Sequence, residues 1–79
     1  MDKKQKEIFI RELGRELKKM RKDRKLTTYR IMKDHNISMS KIFSIEKGTH
    51  RTQVDNLHEL AKVYDTPLSD IIKNVEQRL

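Results

Sequence analysis

Apolar residues recur at steps of three and four along almost the whole chain, and nowhere do β-branched residues alternate with polar ones for long enough to build a strand. That spacing admits helices and little else. Two glycines and one proline in 79 residues leave few points where a helix must stop. Ile10, Leu13, Leu17 and Met20 make one stripe of a first helix, predicted over about residues 7–24. Thr27 is a suitable cap for a short second helix with Ile31, Met32 and His35 on one face, and a turn is expected at Asn36 and Ile37 because Asn tolerates a left-handed backbone. Ser38 suits the cap of a third helix over about 39–47, with Ile42 and Ile45 inward and Gly48 ending it. After a polar loop at 49–53, Val54, Leu57, Leu60, Ala61 and Tyr64 form the stripe of a fourth helix. A fifth has Thr66 as cap, Pro67 in its first turn, and Leu68, Ile71, Ile72, Val75 and Leu79 along one side. The expected product is all-α, a compact five-helix bundle that forms one domain over residues 1–79.

A chain this short buries only ~60% of the surface its unfolded form exposes, and 34% hydrophobic residues make a thin core. An exposed working surface is therefore expected, and an enzyme pocket is not. No cysteine is present, which excludes disulfides and thiolate metal sites and makes the cytoplasm the expected compartment. The longest apolar run, Ile8, Phe9 and Ile10, is far too short for a membrane span, and the charged start lacks the apolar stretch of a signal peptide. His35, His50 and His58 lack metal-ligand spacing with a carboxylate partner, and no glycine-rich phosphate loop occurs, so no catalytic residue, metal or cofactor is expected.

The formal net charge is +7, and the whole excess lies in residues 1–35. Arg15, Lys18, Lys19, Arg21, Lys22, Arg24 and Lys25 face only Glu16 and Asp23, which suits either phosphates or a solvated helix face. Lying on an anionic membrane is disfavoured, because the apolar stripe of the first helix is needed by the core.

Two short helices joined by a tight turn among three others suggest a helix-turn-helix over about 27–47, whose second helix enters the major groove. The stretch Leu26 to Gly48, LTTYRIMKDHNISMSKIFSIEKG, resembles the lambda-repressor and Cro-type (XRE-like) helix-turn-helix family, which often reads L-T-Q-x-x-L-A-x-x-x-G-V-S-x-x-x-I-S-x-I-E-x-G. LGRELKKMR before it and NLHELAKVYDTPLSDII after it are similar to the family's flanking helices, so the resemblance covers about residues 8–74. Thr28, Met32 and Asn36 stand where the family usually has Gln, Ala and Gly.

The resemblance implies a sequence-specific DNA-binding transcriptional regulator, a repressor of the kind found in phage, plasmid, toxin-antitoxin or restriction-modification systems. Base contacts would fall to Met39, Ser40, Lys41, Ser44 and Lys47. Phosphate contacts would fall to Arg15, Lys18, Lys22, Lys25, Thr28, Arg30, His50 and Arg51, with Lys47 also within reach of phosphate. Arg21 and Glu46 resemble the family's structural ion pair. None of the expected readers is the bidentate Arg, Asn or Gln that discriminates bases most strongly. Phe43 turns partly outward one turn after Met39, and it either packs beneath the N-terminal segment or the 49–53 loop, touches a thymine methyl, or meets a protein partner. An interaction module binding a protein through the Met39 and Phe43 surface is the alternative function.

Ile72, Val75 and Leu79 leave an apolar edge, and Ile8 and Phe9 are in excess at the other end. By resemblance the C-terminal edge of Ile72, Val75 and Leu79 would form a two-fold homodimer interface on a palindromic double-stranded operator. Otherwise the two ends cover each other within one chain.

Overall fold

A computed structural model describes residues 1–49 and 51–79; His50, expected at phosphate, lies outside the described residues. Its helices are α1 (Lys3–Asp23), α2 (Thr28–His35), α3 (Met39–Lys47), α4 (Val54–Val63) and α5 (Leu68–Glu76), and no strand occurs among the described residues. The long α1 is the spine: α3 and α5 both pack on it, α2 packs on α3, and α4 on α5.

Helix α1 starts four residues earlier than the apolar stripe indicated. Asp2 closes a reciprocal cap with Gln5, its carboxylate accepting from the Gln5 amide at 2.8 Å while the Gln5 side chain accepts from the Asp2 amide at 2.9 Å. At α2 the expected cap is formed, with the Thr27 hydroxyl oxygen accepting from the Arg30 amide at 3.0 Å. Ser38 occupies the cap position of α3 but its side chain makes no capping bond. Pro67 is the cap residue of α5 rather than a member of its first turn, and the Thr66 hydroxyl donates instead to the Tyr64 carbonyl at 3.0 Å.

Leu17, Ile31, Ile42, Leu60, Tyr64, Ile71 and Val75 form the centre of the core. Two expectations of inward residues fail: Val54, at the first position of α4, is 70% exposed, and His35, at the last position of α2, is exposed. A helix's terminal turn projects beyond the layer it packs on, so periodicity overextends the stripe there. Val75 is fully buried in its own chain, which removes it from the expected dimer edge. Of that edge Ile72 packs against the core and Leu79 is exposed, sharing a hollow with Met1, Gln5 and Ile8, while Phe9 packs partly against the core. The two chain ends thus meet, but they do not cover each other fully.

Among the described residues, the links between helices carry four left-handed residues, Lys25, Asn36, Gly48 and Asp65, with φ of 56°, 57°, 67° and 50°. The first and last links close alike, Leu26 donating to the Arg21 carbonyl and Thr66 to that of Ala61.

Candidate nucleic-acid interface

Helices α2 and α3 with the turn between them form a helix-turn-helix. Asn36 takes the left-handed turn and donates its amide to Met32 at 2.9 Å, and Ile37 is then buried, fixing the direction in which α3 departs. Ile42 and Ile45 hold the inner face of α3, while Ser40, Lys41, Phe43, Ser44 and Lys47 are exposed and Met39 is half-buried. Met32, larger than the alanine usual in similar sequences, is half-buried within α2. A long flexible thioether can fill an irregular gap between crossing helices.

Two glycines set how closely α3 lies on α1. A β-carbon on Gly14 would overlap the carbonyl oxygen of Ile45 and lie 2.6 Å from that of Glu46, so only glycine permits the contact. Gly48, besides its positive φ, brings the end of α3 to the α1 backbone: a β-carbon there would sit 2.7 Å from Arg11 Cα.

Charges divide into two groups. Arg21 is largely buried against Glu46, donating from Nε at 2.7 Å and Nη2 at 3.0 Å, and it also donates from Nη1 to the Leu26 carbonyl at 3.0 Å. Hydrogen bonding to Glu46 raises the Arg21 guanidinium above its ordinary pKa, against burial, which acts the other way. Arg24, part of the basic run in the sequence, is likewise structural. It donates to the Tyr64 carbonyl, the Met20 carbonyl and the Thr66 hydroxyl, and lies 5.5 Å from the centre of the Tyr64 ring. Glu16 is buried and bridged by Arg78 at 2.9 Å, which ties the tail of α5 to α1. For Arg24 and Glu16 the sequence shows the charge but not the partners forty or more positions away.

Exposed cations make up the second group. Lys18, Lys22, Lys25 and Arg51 project to solvent. Arg15 touches Glu12 at 3.2 Å yet its side chain remains 72% exposed, and Arg30 pairs with Asp34 at 2.7 Å on the surface of α2. Such exposed pairs hold weakly, so both guanidinium groups remain exchangeable with phosphate. Thr28 is only 7% exposed, and its packing against the core withdraws it from the expected set of phosphate anchors.

Arg11 was missed. Arg11, Arg15, Lys18 and Lys22 follow one another at helical spacing, a basic stripe beside the edge of α1 where Gly14 and Arg21 meet α3. That spacing was present in the sequence, but the edge next to α3 was not. Lys41, Ser44 and Arg51 come together around one hollow beside α3, with Thr52, Gln53 and Asn56, three further polar residues outside the set expected from the sequence. Lys3 and Lys6 join Arg51 around a second hollow at Gly48 and Thr49. Among the described residues no group of three or more His, Cys, Asp or Glu could hold a metal ion, and no helix is long and apolar enough to cross a membrane.

A family model described as a Cro/C1-type helix-turn-helix DNA-binding domain matches residues 16–77. Comparison with curated proteins and with solved structures gives no significant match.

Proposed function

Because the chain belongs to the Cro/C1-type helix-turn-helix DNA-binding family, we propose that it is a sequence-specific transcriptional repressor of the cytoplasm that inserts α3 into the major groove of double-stranded DNA. It acts by occupying its site and not by catalysis. The observation that carries this reading is the outward face of α3: Ser40, Ser44 and Lys47 are exposed there, on a helix held from behind by Ile42, Ile45 and the Arg21–Glu46 pair. Lys41 flanks that face, and Met39 opens its first turn. In this role Ser40, Lys41, Ser44 and Lys47 meet base edges, while Arg15, Lys18, Lys22, Lys25, Arg30 and Arg51 hold phosphates and set the register. His50, by its place next to Arg51, joins the phosphate group in this proposal.

The repressor works as a homodimer on a palindromic operator, two copies of α3 lying ~34 Å apart in successive turns of the groove. Support for the pairing is the apolar end surface of Met1, Ile8 and Leu79, flanked by half-buried Ile72. Titration of a fluorescent duplex, selected by the protein from a random pool, tests the reading. Displacement of about six to ten counterions lowers affinity by ~10³ to 10⁵ between 50 and 200 mM salt. A protein that selects no DNA, or binds it without a salt slope, does not act this way.

A further inference from the structure

Phe43 is the one large apolar side chain of α3 that its own fold does not use. It is 48% exposed, whereas Ile42 and Ile45 on either side are buried. Phe43 is not among the partly buried residues packed against the core, and it lines none of the hollows described at the 49–53 loop or beside the N-terminal part of α1. Taking Ile42 and Ile45 as the inner side of a helix with 100° per residue, Ser40, Ser44 and Lys47 point outward, Lys41 lies on one flank, and Phe43 lies on the other with Met39 one turn before it.

From this arrangement, and resting on the DNA-binding reading above, we propose that Phe43, backed by Met39, reads the C5-methyl group of a thymine in the major groove. The chemistry fits at each point. Thymine is the base whose major-groove edge carries an apolar group, and an aromatic side chain can cover that methyl without needing a hydrogen bond. Ser40 and Ser44 lie on the neighbouring outward positions of the helix and can serve the polar edge of the same or the next base pair, and Lys47 follows one turn on. A protein partner fits less well. One exposed ring and one half-buried methionine, bordered by serines and lysines, make a small apolar patch rather than the contiguous one that marks a protein interaction site. The proposal also accounts for a set of readers without a bidentate Arg, Asn or Gln, since discrimination then rests partly on shape and on the methyl group.

The test uses the full chain and duplexes it selects from a random pool. Each thymine of the selected site is replaced in turn by deoxyuridine, which removes only the methyl group, and binding is measured for wild type, Phe43→Ala and Phe43→Leu. Burying one methyl corresponds to about a fourfold change in affinity. Deoxyuridine at one position of each half-site is expected to weaken wild type by about that factor and to leave Phe43→Ala unaffected, with Phe43→Leu between them. Replacing the same thymine by 5-methylcytosine is expected to cost less than replacing it by cytosine. Circular dichroism and thermal melting verify that each variant is folded, and Phe43→Leu keeps the comparison open if the alanine variant is not. Selected sites indifferent to deoxyuridine at every thymine, or equally sensitive in wild type and both variants, overturn the methyl reading alone. A wild-type protein that selects no DNA overturns the DNA-binding reading and this one with it.

Discussion

Arg21 of α1 and Glu46 of α3 are joined by two hydrogen bonds, at 2.7 and 3.0 Å, and the same guanidinium also holds the Leu26 carbonyl just before α2. One side chain therefore fixes the approach to α2 and the end of α3 together. Because Glu46 is buried and Arg21 largely so, removing either one strands the other's charge. Glu46→Ala is expected to destabilise the fold by ~3 to 5 kcal/mol. Arg21→Ala should cost a similar amount, and the double variant should cost less than the sum of the two. Chemical denaturation of the three proteins measures this, and an unchanged midpoint for Glu46→Ala removes the structural role.

Gly14→Ala separates helix propensity from packing. Alanine favours an isolated helix over glycine by up to ~1 kcal/mol. Here its methyl would meet the carbonyl oxygens of Ile45 and Glu46, and forced overpacking costs ~1 to 3 kcal/mol. The expected outcome is a lower melting temperature. A raised one would mean that α3 can back away from α1 without loss.

Tyr64 carries a pH signature. Burial, with a smaller contribution from nearby Glu46, pushes its phenol up to about 12 from an ordinary value near 10, and among the described residues its hydroxyl has no hydrogen-bond partner. Since the folded state holds this proton more tightly than the unfolded one, its contribution to stability is fully present below pH ~10 and is lost as pH rises through ~12. Tyr64→Phe should flatten that alkaline decline and, by removing an unpartnered polar group, leave stability at pH 7 equal or slightly higher. Urea midpoints measured from pH 7 to 12 on both proteins decide it.

Anchors and readers should separate by their salt and sequence dependence. Lys22→Ala is expected to weaken binding to all DNA sequences alike and to reduce the salt slope by about 1. Ser44→Ala or Lys41→Ala should instead reorder a panel of related sites. If α3 substitutions leave the ranking intact, another element reads the sequence.

Association and folding should respond to different ends of α5. Val75→Asp places a carboxylate in the core and is expected to unfold the chain, whereas Leu79→Asp alters only the exposed end surface and is expected to reduce dimerisation while the monomer stays folded. Sedimentation at micromolar concentration, paired with thermal melting, distinguishes the two. A monomeric wild type removes the dimer proposal.

The helical period was enough to find the five helices of the described residues, because stripes such as Leu13 to Met20, Leu57 to Tyr64 and Leu68 to Val75 each turn toward the common core. Asn36 and Gly48 were legible as turn residues from their conformational tolerance, and Arg21 with Glu46 from the family resemblance. What escaped the sequence depends on partners far apart in the chain. Arg24 looks like one more basic residue until Tyr64 and Thr66 are seen beside it, and Glu16 looks solvent-facing until Arg78 reaches it. Lys25 and Asp65 gave no glycine-like signal for a left-handed backbone, and the start of α1 was hidden because Asp2 and Gln5 act through capping and not through an apolar stripe. Thr28 on the DNA side and Val75 on the dimer edge were misplaced because periodicity identifies a face without saying how deeply its margins sink.

The close approach of Gly48 to Arg11, together with the Glu46 ion pair, makes α3 a cantilever. Its C-terminal end is clamped to the spine, while its first turn is held by no side-chain cap at Ser38 and by a half-buried Met39. In the proposed role, adjustment to a particular stretch of DNA is expected in the first turn, at Met39, Ser40 and Lys41. Hydrogen exchange that slows from Ser40 toward Lys47 is the expected form of this gradient, with the angle of α3 to the rest of the protein set at its C-terminal end.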